Sequence, residues 1–347
     1  MRRISDFFGA SILQLMPRVV FVLGAGASRP YGLPTSGELR AILLGTNAGD
    51  RALNSLGINF DRIVSFLDSR GMRDHPKYAE LFARATEREI PKDLNVARLF
   101  VDAALDGYAG SQRRTYKNFR DRLFNSQRVS IDAFITKNPD LELIAKHAVA
   151  AVLLLCEREE RLEADWYQQF LERIMRDAFH DGEFGIITFN YDRSFEHYFK
   201  RAFTHNYPLN ESFALKLYWQ LKIVHAYGCL GTLEGNIMPP LVKYGDVNTF
   251  GNAVDQMELA TPAHDPNDKI KSLLDGVDRV VFIGFGFWKE NMDLIKLDEK
   301  NPPTVYASAF CLPVTVMEDV KARYPGIIFG NRDDQVLDFV LSHAIFA

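Results

Sequence analysis

Four short apolar runs, far apart in the chain, each end in glycine or in a polar turn. Residues 19–23 read VVFVL and pass straight into Gly24-Ala25-Gly26-Ala27-Ser28. Residues 184–189, FGIITF, lead into Asn190-Tyr191-Asp192. Residues 221–225, LKIVH, end at His225, and residues 279–284, RVVFIG, lead into Phe285-Gly286. A fifth run is expected at residues 304–308. Uninterrupted β-prone apolar runs suit parallel strands covered by helices on both faces. In such sheets ligands bind beyond the carboxyl ends of the strands. The unusual polar groups of this chain all fall at those ends. The pattern predicts an α/β fold, a Rossmann-like open parallel sheet.

Residues 48–180 have a different texture, rich in Arg, Asp, Ala and Leu at helical spacing. They are expected to form a large, mostly helical insertion between the first and second strands. Residues 1–47 and 181–347 would then form the sheet domain. Within these limits residues 36–44 read as a helix capped by Thr35 or Ser36, with Glu38 in its first turn. Leu141–Phe179 reads as helical with a break near Glu163, and Ser194–Phe203 as a further helix.

Composition narrows the partners. The 347 residues are 47% hydrophobic and 25% charged with a net charge of -4, which argues against general nucleic-acid binding. The basic group Arg113, Arg114, Lys117, Arg120 and Arg122 reads as the solvated face of a helix. Cys156, Cys229 and Cys311 are odd in number and widely spaced. They fit neither a disulfide framework nor a four-cysteine zinc site, so a reducing cytoplasm and no metal are expected. The N-terminal MRRISDFFGASILQLMPR lacks a signal-peptide pattern, and Ala148–Cys156 is too short to span a bilayer. No membrane association is expected.

Each strand-end motif has two readings. GAGAS lacks the third glycine of the dinucleotide fingerprint, since Arg29 stands there, and it lacks the lysine of a phosphate loop. It is a tight turn or a pyrophosphate cradle. Arg29 is a phosphate partner or an ordinary ion-pair member. Asn190 and Asp192 form a turn with a cap, or they hold a ribose hydroxyl or a water. His225 is a core histidine or a general base. Gly284, Phe285, Gly286 and Asn291 form a turn or a second nucleotide contact.

Taken in order, GAGAS, Gly32-Leu33-Pro34, Thr188 with Asn190 and Asp192, His225 with Gly228, and GFGF resemble the sirtuin-like family. The likeness covers about residues 18–45 and 183–310. It departs from protein deacylases in lacking the paired cysteines of a zinc ribbon and in the long Ser28-to-Asn190 spacing. Both departures resemble the zinc-less sirtuin-like NAD hydrolases of bacterial antiphage defence, as does SIDAF at residues 130–134. GFGFWKEN at 284–291 is similar to members that work beside a HerA-type ATPase.

The resemblance implies NAD as substrate, cleaved to ADP-ribose and nicotinamide. It implies that Asn190 holds a ribose hydroxyl or the attacking water and that His225 accepts a proton. Gly24, Ala25, Gly26, Ala27 and Ser28 would cradle the pyrophosphate, and Asp192 would orient the Asn190 loop. Gly284, Phe285, Gly286 and Asn291 would bind the adenosine half. A regulated homo-oligomer, with a HerA-type ATPase or another defence protein as partner, is the implied setting. Two alternatives stay open: a deacylase or ADP-ribosyltransferase, and a non-enzymatic NAD or ADP-ribose sensor.

Overall fold

The computed structural model describes residues 18–84, 94–106, 113–128, 130–163, 165–176, 184–233, 241–259, 267–298 and 300–343. Six parallel strands form one sheet: β1 (Val19–Leu23), β2 (Phe184–Thr188), β3 (Lys222–His225), β4 (Arg279–Ile283), β5 (Thr304–Ala307) and β6 (Ile328–Phe329). Their spatial order is β3-β2-β1-β4-β5-β6. β1 lies at the centre, with Val19 opposite Phe184 on one side and opposite Arg279 on the other. The chain winds outward from β1 to β3, then returns to start β4 on β1's other edge. Such a reversal leaves a crevice above the carboxyl ends of β1 and β4. The α/β sheet expected from the apolar runs is therefore present. The two-residue β6 has no counterpart among the five apolar runs, because a pair with partly exposed side chains carries no apolar pattern.

The period of two explains why β1 is apolar throughout. Val19, Phe21 and Leu23 face one layer of helices, Trp166–Arg176, Ser194–Asn206 and Val336–Ser342. Val20 and Val22 face the other layer, Asn267–Leu274 and Val314–Arg323. Phe21 meets Phe170 edge-on, with ring centroids 4.8 Å apart. Helix Ser36–Leu44 starts at Thr35, whose hydroxyl accepts from the Glu38 amide while Glu38 accepts from the Thr35 amide.

A separate helical body packs beside the sheet around helix Glu142–Cys156, which is buried on nearly all sides. Its core does not follow the boundaries near residues 47 and 180. Leu39, Ile42 and Leu43 of Ser36–Leu44 pack into it, as do Phe250, Ala253 and Val254 from Phe250–Gln256. Conversely, Trp166, Tyr167 and Phe170 pack against the sheet. Amphipathic spacing shows that a helix has a buried face, not which core that face meets.

Arg193 and Glu157 join the two bodies. The guanidinium donates from Nε to Oε1 at 3.0 Å and from Nη2 to Oε2 at 2.6 Å. Of the basic group, Lys117 is exposed, Arg120 faces Asp102 at 3.7 Å and Arg122 pairs with Asp140 at 2.5 Å. The side chains of Arg113 and Arg114 and the N-terminal residues 1–17 lie outside the described residues. No described helix is long and apolar enough to cross a membrane.

Candidate functional site

The turns after β1 and β4 interlock backbone to backbone. Gly24 N–H donates to the Ile283 carbonyl at 2.9 Å, and Gly26 N–H to the Gly284 carbonyl at 3.0 Å. A Cβ on Gly24 would lie 2.5 Å from the Gly284 oxygen. Gly284 has φ +59° and would place a Cβ 2.0 Å from the Ala27 nitrogen. Close approach thus accounts for these glycines within the protein itself. The Gly284 amide in turn donates to Ser308 Oγ beyond β5 at 2.8 Å. Ala27 N–H donates to the Gly24 carbonyl at 2.9 Å, so at least three of the five GAGAS amides are committed internally. The turn offers a neighbour chiefly a wall without side chains.

That wall bounds a cavity of about 1250 Å³. Gly24, Ala25 and Gly26 line one side of it, and Gly284, Phe285, Gly286 and Asn291 another. Ser308 and Phe310 extend it past β5, and Ser130 and Asp132 reach it from the helical body. Trp288 and Phe310 line it with largely exposed rings, apolar faces on which a planar group can stack. Phe287 and Cys311, also in the lining, hold the left-handed backbone with φ 55° and 54°. Non-glycine residues adopt it uncommonly, and those that do cluster at functional sites; Gln127, away from the cavity, also holds it. Arg29 borders the cavity but bonds Glu38 Oε1 at 3.0 Å and the Ser55 hydroxyl at 3.1 Å, which is the ion-pair reading. Asn291 Oδ1 accepts from Tyr227 at 2.7 Å.

Asn190, Asp192 and His225 sit together but behind this wall, outside the cavity lining, as do Ala27 and Ser28. Asn190 Nδ2 donates to the Gly24 carbonyl and to Ser28 Oγ, both at 3.0 Å. Its Oδ1 is buried without a hydrogen-bond partner. Asp192 Oδ1 accepts from the Ser194 amide at 3.0 Å and from its hydroxyl at 2.5 Å, and so fixes the start of helix Ser194–Asn206. Burial lifts its pKa to about 6, against the pull of the Ser194 bonds. The hydroxyls of Ser28, Ser194 and Tyr167 continue the network toward the helix below.

His225 is engaged at both nitrogens. Nδ1 meets the Asn190 carbonyl at 3.0 Å, and Nε2 meets Glu196 Oε1. Burial alone would lower its pKa, but the Glu196 carboxylate outweighs burial and lifts it to about 10. At neutral pH it is an imidazolium donating from both nitrogens, with none left to accept a proton. Its stabilising effect is complete below the unfolded value of about 6.5 and is lost as pH rises through about 10. Glu196→Gln should therefore destabilise the protein most near about pH 6, with the difference from wild type shrinking toward about pH 10. Denaturant midpoints at three pH values check this, and a pH-independent difference would contradict the pairing.

Glu196 carries no sequence signal, because a histidine–carboxylate pair 29 positions apart has no motif. Asp132 falls within SIDAF, which stands out in sequence only through its resemblance. Ser308 ends the fifth run and Phe310 follows it, and neither carries a signature. Among the described residues no three His, Cys, Asp or Glu side chains are grouped to hold a metal ion. No protein-family model matches this chain, and no curated protein matches it significantly.

Proposed function

We propose that this chain binds NAD and hydrolyses it to ADP-ribose and nicotinamide. The observation that carries the proposal is the cavity above β1 and β4, where the sheet reverses its winding. Its volume of about 1250 Å³ exceeds the roughly 300–1,000 Å³ usual for small-molecule sites, which suits an extended dinucleotide. Asn190 supports the cavity from behind, its Nδ2 holding the Gly24 carbonyl and Ser28 Oγ and so fixing the wall that the nucleotide would face. Resemblance to zinc-less sirtuin-like proteins supplies the reaction. The pyridinium charge weakens the bond from nicotinamide to ribose, and its cleavage passes through an oxocarbenium-like state. The chain's contribution is to fix the ribose, exclude other acceptors and place one water. His225, held at both nitrogens, anchors the Asn190 loop in this arrangement.

A second reading is a sensor that binds the nucleotide without cleaving it. The occupied His225, with neither nitrogen left to accept a proton, favours it. Nicotinamide release and NAD binding by the purified chain, compared with Asn190→Ala, separate the two. Hydrolysis predicts release that falls at least about tenfold in the variant, because the wall loses the two Asn190 bonds that hold Gly24 and Ser28 in place. Binding with NAD left intact would favour the sensor, and ADP-ribose joined to a macromolecule would favour a transferase. The biological role proposed is defence against phage, where uncontrolled NAD loss would kill the host. Restraint would then come from self-assembly or from a partner such as a HerA-type ATPase. Loss of cellular NAD only after phage challenge is the corresponding observation.

A further inference from the structure

We propose that Asp132, delivered to the cavity by the helical body, is the general base that activates the attacking water. This rests on the hydrolase reading above and adds a residue to it. Asp132 and Ser130 line the cavity. Ser130 Oγ accepts from the Ala133 amide at 3.2 Å, which fixes the first turn of helix Ile131–Thr136 and with it the carboxylate. Tyr191, between Asn190 and Asp192, donates its hydroxyl to Asp132 Oδ1. The carboxylate from one body is thus tied to the Asn190 loop of the other. Asp132 Oδ2 faces the Ser130 hydroxyl at a loose 3.4 Å.

The other acids lining the cavity have different employment. Glu38 is held by Arg29 and by the Thr35 amide, and Asp165 accepts from the Trp166 amide at 2.6 Å. Asp319 is exposed. His225 lies behind the wall with both nitrogens engaged. Burial brings Asp132 to a pKa of about 7, where a carboxylate accepts a proton best at neutral pH. The titratable groups set against it are Tyr191 from the loop after β2 and Tyr227 from the loop after β3.

The step balances without a further reactant. Water oxygen bonds to the ribose C1′ while its proton passes to the Asp132 carboxylate. The bond from C1′ to the ring nitrogen breaks, and its electron pair returns to the ring, so nicotinamide leaves neutral. Asp132 then gives the proton to solvent. The sum is NAD plus water to ADP-ribose, nicotinamide and a proton.

The test measures NAD hydrolysis across pH together with NAD binding, on the full chain, for wild type, Asp132→Asn and Tyr191→Phe. Asp132→Asn is expected to lower kcat by about 10²–10⁴-fold while NAD affinity stays within about threefold. The wild-type rate should fall on the acid side with a limb near the pKa of about 7. Tyr191→Phe removes a bond to the charged carboxylate and should move that limb to higher pH. Hydrolysis by Asp132→Asn within about threefold of wild type overturns the base role and leaves the hydrolase reading standing. Wild-type NAD binding without cleavage overturns the hydrolase reading, and the base role with it. If Asp132→Asn does not fold or bind, Tyr191→Phe decides: a shifted limb supports the role and an unmoved limb overturns it.

Discussion

Arg193→Ala should lower the free energy of unfolding by about 3–5 kcal/mol, the range for breaking a buried ion pair from one side. The Arg193 side chain is 2% exposed and the Glu157 side chain is fully buried. Removing the cation strands a carboxylate where water cannot reach it. Arg193 Nη1 also donates to the Val242 carbonyl at 2.6 Å, and the Gly245 amide donates to Glu157 at 3.1 Å. Desolvation alone would weaken the charge on Arg193, but Glu157 outweighs it and raises the pKa. The pair therefore stays charged and joins the end of helix Glu142–Cys156 to the loop that starts Ser194–Asn206. The double change Arg193→Met with Glu157→Leu should recover about half of the loss, because no orphan charge remains. It leaves the Val242 carbonyl and Gly245 amide unserved, so recovery is incomplete. Urea midpoints of the three variants check the ordering. A loss below about 1 kcal/mol for Arg193→Ala would mean that water enters and solvates Glu157.

The strands were legible because burial on both faces writes an unbroken apolar run. Val19–Leu23 and Arg279–Ile283 need no partner information to be read. The cap of Ser36–Leu44 was legible for a similar reason, since Thr35 and Glu38 are three residues apart and bond each other. The placing of helices against cores was not. Trp166–Arg176 shows the same amphipathic face whether it meets the sheet or the helical body, and its true contacts with Phe21 and Phe199 are distant in sequence. The site divides in the same way. Gly24, Gly26 and Gly284 announced themselves by type, but their mutual contact became visible only once β1 and β4 were neighbours. His225 was legible as a titratable residue at a strand end, whereas its charge state is set by Glu196 on a separate helix. Asp132 carries no signal in isolation, because its significance comes from the cavity that two bodies form around it.

Gly284→Ala should be the most damaging single-methyl substitution at this site. The new Cβ would lie 2.0 Å from the Ala27 nitrogen and 2.3 Å from the Gly26 carbonyl carbon. Both neighbours are backbone, so no side chain can swing aside. The residue would also hold φ +59°, which costs an L-residue roughly 1–2 kcal/mol by itself. Parting the turns breaks the Gly26-to-Gly284 bond at 3.0 Å and strains Gly24-to-Ile283 at 2.9 Å, each worth about 1 kcal/mol. A total loss of about 3–4 kcal/mol is expected from these terms. Gly251→Ala is the control, since a Cβ there has open space within helix Phe250–Gln256 and should stabilise by up to about 1 kcal/mol. Denaturant midpoints and NAD binding, measured on the same samples, decide what the glycine is for. Lost stability means that the glycines serve the interlock, and the cavity wall is its consequence. A wild-type midpoint with lost binding would mean that the turns part freely and that the glycine was kept for the ligand. Because the Gly24 and Gly26 amides already point into the protein, the first outcome is the one the geometry favours.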